Sequence, residues 1–149
     1  MDNGERQQLE LLTERASRRG KEDYDKSEQR LFAEHSAKGM LGSGATIMRA
    51  VAIMGETGTA TFDRLILECE EVSRTSEAFD LVDKTMAELL DALHQRLPKA
   101  IGMGTRGITS DSITRASEEL FAKMRFDLEA DIKVARFKFL RAKSVERVQ

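Results

Sequence analysis

Two glycine-rich stretches carry spacings that phosphate chemistry uses. Gly102-Met103-Gly104-Thr105-Arg106-Gly107 reads G-x-G-x-x-G, the pattern by which a strand-to-helix turn presents backbone N–H groups to a pyrophosphate. That chemistry needs a strand ahead of the turn and a sheet beyond it. Here Pro98 and a helical pattern come first, and Asp127, twenty residues past Gly107, falls in mid-helix. A looser use of the segment is a small-anion or ligand site, with Lys99 and Arg106 as cations and the exposed backbone at Gly104 and Gly107 as donors. Gly39 to Thr46 has phosphate-loop spacing, but Ala45 stands where a lysine must meet the phosphates. Small residues there suit close helix packing or a bend.

Metal and nucleophile chemistry have few residues to draw on. The soft or imidazole ligands are Cys69, His35 and His94. A di-iron bundle uses two Glu-x-x-His pairs; the nearest match is Asp91-Ala92-Leu93-His94, and Phe32 occupies the matching place before His35. Glu70-Glu71 and Glu118-Glu119 are neighbours in sequence, so on a helix they diverge. The sequence therefore predicts no metal, no cofactor and no enzyme. His94 is expected to meet carbonyls at the end of its helix, and Cys69 to pack as a small apolar side chain.

The elements that would position these residues are helical. Glycine costs a helix interior about 1 kcal/mol relative to alanine, and no glycine occurs in 59–101 or 108–149. In the first of these segments, steps of three and four run Phe62, Leu65, Cys69, Val72, Ser76, Phe79, Asp83, Met86, Leu90, Leu93 and Leu97; only Ser76 and Asp83 are polar. Asp83 is expected to drift to solvent or to fix helix register. The second segment repeats Ile113, Ala116, Leu120, Met124, Leu128, Ile132, Ala135 and Phe139. The fold expected is all-α: an elongated antiparallel helical bundle with two long helices, about 59–97 and 112–145, joined by a loop at 99–107. A buried helix is expected over 45–54 and another over 27–37, with a break at Gly39–Gly44 left open. Residues 1–26 read as a weak helix or a mobile arm.

A length of 149 residues suits a single helical domain, 1–149, able to bury about 70% of its unfolded surface without disulfide or metal. One cysteine and a polar start without a signal peptide's apolar core point to the cytoplasm. The weakly charged run 37–55 holds Lys38 and Arg49 inside it, which disfavours a membrane span. The formal charge is −2, but 59–97 carries nine acids against four bases and 133–149 six bases against one acid. Antiparallel helices would set residues 136–147 against Asp63, Glu68, Glu70 and Glu71.

Long stripes that outrun their cover suggest another subunit. The leading functional expectation is a protein–protein interaction or scaffold module that self-associates, as a homodimer, through Phe62, Leu65, Val72, Phe79, Met86, Leu90, Leu93, Leu120, Met124, Leu128, Ile132 and Phe139. An alternative is a nucleic-acid-associated protein using Lys133 to Arg147; the scarcity of stacking aromatics disfavours it. The anion site at 99–107 is the second alternative.

Overall fold

A computed structural model of the chain describes the backbone of residues 1–148 and the side chains of residues 1–141. The described residues form helices and their connections, with no strand among them. In order these are α1 (Asn3–Ala37), α2 (Gly44–Val72), α3 (Ser76–His94), α4 (Leu97–Thr105) and α5 (Asp111–Val148).

Local chemistry sets the boundaries. Asp2 and Glu5 form a reciprocal capping box that starts α1, the Asp2 carboxylate accepting from the Glu5 N–H at 2.8 Å. Gly39 and Gly42 take positive φ, and the chain turns there before α2. The segment 1–26, expected as a weak helix or arm, enters α1 at Asn3 and buries Leu9 and Tyr24 completely. Pro98 falls in the first turn of α4, where its missing N–H has no intrahelical partner to lose.

The expected helix 59–97 is replaced by three elements. Its first part belongs to α2, which runs straight through Gly55 and Gly58. A Cβ on Gly58 would lie 2.7 Å from Leu128 Cδ2, and one on Gly55 3.0 Å from Met124 Cγ, so the glycines admit α5 rather than end the helix. The break comes instead at 73–75, where the Thr75 hydroxyl accepts from the Ala78 N–H at 3.1 Å and caps α3. The loop expected at 99–107 is largely α4.

Side-chain pairings give the arrangement. Between α1 and α2, His35 meets Thr46, Gly20 lies against Thr61, and Arg15 pairs with Glu68. Between α3 and α5, Phe79 meets Phe139, Asp91 meets Arg125, and His94 meets Glu118. Gly20 also faces Leu89, so α1 touches both α2 and α3. The resulting core gathers Leu9, Tyr24, Met54, Leu65, Phe79, Val82, Met86, Leu89, Leu90, Leu93, Leu97 and Phe139, all shielded from solvent. Among the described residues, no helix is long and apolar enough to cross a membrane.

Candidate interaction surface

Helix α5 packs by one face only. Phe121, Leu128, Ile132 and Phe139 are buried with Ser117, and they recur at intervals of four and seven residues, one or two turns, on the side facing α2 and α3. Phe139 meets Phe79 edge-on, centroids 5.4 Å apart, and Phe121 stacks on His94 at 4.7 Å. Polar contacts line the α3 side: His94 Nε2 lies 2.5 Å from a Glu118 carboxylate oxygen, and ion pairs join Arg125 to Asp91 at 2.7 Å and Arg136 to Asp80 and Asp83 at 2.8 and 3.2 Å. His94 thus meets a carboxylate of α5 rather than the carbonyls of its own helix.

These contacts perturb the charged groups. Burial raises the Asp83 carboxyl above its ordinary range, although Arg136 and its hydrogen bond pull the other way. Arg125 is held above its usual value: burial opposes this, and the bonds to Glu129 and Asp91 outweigh it.

The opposite face of α5 has no partner in the bundle. Phe126 is 71% exposed, Val134 56% and Phe137 75%. At 3.6 residues per turn, Phe126, Ala130 and Phe137 share one side of the helix. Between α2 and α5 runs an apolar groove of about 500 Å³, lined by Val51, Ala52, Gly55, Leu120, Met124 and Leu128 with exposed Met48 at its edge. Phe126 and Phe137 stand about three turns apart on the outer side of α5, with Ala130 and Val134 between them.

The twelve residues expected at an intermolecular interface lie elsewhere. Phe62, Leu65, Phe79, Met86, Leu90, Leu93, Leu128, Ile132 and Phe139 are buried inside the chain, and Val72, Leu120 and Met124 are half-buried against the same core. The expectation of uncovered stripe rested on two very long helices. With the chain folded back at 73–75 and α1 fully helical, α1, α2 and α3 cover one another's stripes. The exposed apolar residues that sequence reasoning left out of the interface are Met48, Phe126, Val134 and Phe137. For the three on α5 the signal was a second apolar repeat, out of phase with the first.

The proposed anion residues are not assembled as a site. Lys99 pairs with the buried Glu28 carboxylate at 2.9 Å and sits over the Phe32 ring. Gly104 is filled from above: a Cβ there would lie 2.5 Å from Ile47 Cγ1 and 3.1 Å from the Ser43 carbonyl. Arg106 donates to the Leu41 carbonyl at 3.1 Å, and its N–H and that of Gly107 both go to the Gly102 carbonyl. The backbone donors of Arg106 and Gly107 are taken up because α4 ends there in a left-handed cap, at Arg106 (φ 53°) and Gly107 (φ 80°).

The other candidates are also accounted for. Thr46, the hydroxyl of the phosphate-loop spacing, is fully buried at 2.7 Å from His35 Nδ1 and fastens α1 to α2. Cys69 is buried in the core, and burial followed by the Glu68 charge pushes its thiol up to about 12. Among the described residues no three His, Cys, Asp or Glu side chains come together as a metal site. Among the described residues, no base of the C-terminal pole pairs with Asp63, Glu68, Glu70 or Glu71. Arg136 lies on Asp80 and Asp83, while Glu68 takes Arg15 and Glu70 takes Arg74. Lys143 and Arg147 fall outside the described side chains.

A second polar cluster lies where α1 meets α4. Asp25 holds Arg96 through two hydrogen bonds, 2.5 and 3.1 Å, and this pairing raises the guanidinium further. Burial, then the neighbouring Glu28 carboxylate, holds the Tyr24 phenol far above its ordinary range. These groups brace the bundle end.

No protein-family model matches the chain, and neither a curated protein nor a solved structure resembles it significantly.

Proposed function

We propose that this chain is a non-enzymatic helical interaction module: a single antiparallel bundle that presents the outer face of α5 to another protein chain, in the first instance a second copy of itself. The observation that supports this reading is the exposure of Phe126, Val134 and Phe137 on a helix whose opposite face is already packed. Water contact with three large apolar side chains is unfavourable by about 1.5–3 kcal/mol each relative to burial. Covering three from each of two copies gives roughly 12 kcal/mol gross, against an association cost of about 4–15 kcal/mol. At the low end of that cost the balance reaches about 8 kcal/mol, the free energy of a micromolar dimer.

Light scattering coupled to size exclusion tests the reading. Tens of micromolar protein is expected to show a concentration-dependent mass above one chain. Phe126→Asp or Phe137→Asp should return it to one chain with unchanged helicity. A single-chain mass for the unaltered protein across that range removes the proposal.

One observation favours a second reading. Phe137 is exposed between Lys133, Lys138 and Arg141, the residue mix that holds single-stranded nucleic acid. Retention of an oligonucleotide that falls steeply with salt would support it. No retention at low salt would dismiss it.

A further inference from the structure

The outer face of α5 has an order that a random apolar patch lacks. Seven residues, Glu119, Lys123, Phe126, Ala130, Val134, Phe137 and Arg141, are all exposed, and at about 100° per residue they fall within an arc of roughly 80°. Their spacing is 4, 3, 4, 4, 3, 4, which reads the same from either end about Ala130. None of the seven forms an ion pair among the described residues.

Reversal about that centre matches the chemistry as well as the spacing. Glu119 falls opposite Arg141 of a second copy, an acid against a base. Lys123 falls opposite Phe137, where its methylene stem and ammonium can lie on the ring. Phe126 falls opposite Val134, both apolar. Ala130 meets its own counterpart at the crossing point, and its small side chain admits a close helix approach. A parallel, in-register pairing does the reverse. It sets Glu119 on Glu119, Lys123 on Lys123 and Arg141 on Arg141, three like-charge contacts along one seam.

Resting on the reading of α5 as a self-association face, we infer that two chains pair through an isologous, antiparallel α5–α5 contact whose two-fold axis passes beside Ala130. The same patch serves both copies, so the contact closes on itself and stops at two chains. Its polarity comes from the acid at the start of the stripe and the base at its end.

Cysteine cross-linking of the full chain separates this geometry from its alternatives, since a disulfide needs Cα atoms about 4.4–6.8 Å apart. Ala130→Cys is expected to give a covalent dimer on mild oxidation. Phe126→Cys alone should not, because its two copies would be offset by eight residues, about 12 Å along the axis. An equimolar mixture of Phe126→Cys and Val134→Cys should cross-link between the two variants. In parallel, Glu119→Arg should weaken dimerisation about three- to tenfold, and Glu119→Arg combined with Arg141→Glu should restore it. Cross-linking of Phe126→Cys with itself, or failure of the double charge reversal to rescue, overturns the antiparallel axis. A dimer abolished by Phe126→Asp yet never cross-linked through position 130 overturns it too, while leaving α5 as the association face. A chain that stays single at all concentrations removes both.

Discussion

Helices α3 and α5 are both amphipathic and pack against each other, yet they differ in enclosure. α3 is surrounded: Phe79, Val82, Met86, Leu89, Leu90 and Leu93 are all buried among α1, α2 and α5. α5 stands at the margin, burying Phe121, Leu128, Ile132 and Phe139 while leaving Phe126 and Phe137 in water. An apolar residue on α3 therefore acts on folding, and one on the far side of α5 acts on what the molecule meets. The difference lies in what the outward face carries: Asp80, Lys84, Glu88 and Asp91 on α3, Phe126, Val134 and Phe137 on α5.

Substitutions can break that contrast, beginning with the largest effect. Phe79→Ala removes a fully buried ring from between α3 and α5 and should cost about 3–5 kcal/mol of stability in a denaturant titration. Phe137→Ala should stay within about 0.5 kcal/mol in the same titration and act on association instead. Comparable losses from both would erase the distinction.

Lys99→Met strands the Glu28 carboxylate, which has little access to water, and should cost about 2–3 kcal/mol, discounted for the exposure of the lysine. Glu28→Gln in the same chain should recover part of that, read as a coupling in a double-mutant cycle. Gly104→Ala forces a methyl toward Ile47 and the Ser43 carbonyl and should cost about 1–2 kcal/mol in thermal or chemical unfolding.

Cys69 sharpens the contrast without a stability change. A thiol pushed up to about 12 and enclosed by the core should not react with a thiol reagent at pH 8, and should react fully once denaturant opens the bundle. Fast native reaction would mean that the α2 end of the core is open.

The smallest effect is at Asp83. Its carboxyl is raised in the folded chain, so its favourable contribution is complete below the ordinary carboxylate value of about 4 and is lost as pH rises through the higher folded value. Asp83→Asn should therefore match or exceed the unaltered chain at pH 7 by a few tenths of a kcal/mol, screened because the group is half exposed. The difference should vanish below about pH 4; a stability gap that widens there would reverse the sign.

The helical character of the chain was legible because apolar residues recur once per turn, and that pattern survives a wrong boundary. The boundaries were less legible for a physical reason. Glycine and proline report what an isolated helix tolerates, whereas Gly55 and Gly58 answer to α5 pressing on α2. The true break, at Ser73-Arg74-Thr75, contains neither glycine nor proline. Its signals were the polar Ser76 in the stripe and a Thr75 placed to cap α3. The candidate site was hidden by the same habit: tracing the longest stripe on α5 drew attention to residues that the core consumes, and away from the second repeat at Phe126, Ala130, Val134 and Phe137.

Tyr24 has a consequence of a different kind. The chain has one tyrosine and no tryptophan, and that tyrosine lies wholly inside, beside Glu28 and Arg96. The near-ultraviolet signal of the protein thus comes chiefly from a single phenol at the junction of α1 and α4, remote in sequence from the α5 surface. A spectroscopist following that band watches the bundle loosen at one end and sees nothing of chains meeting along α5. Folding can therefore be followed through that band, apart from the association proposed for α5, without attaching a label.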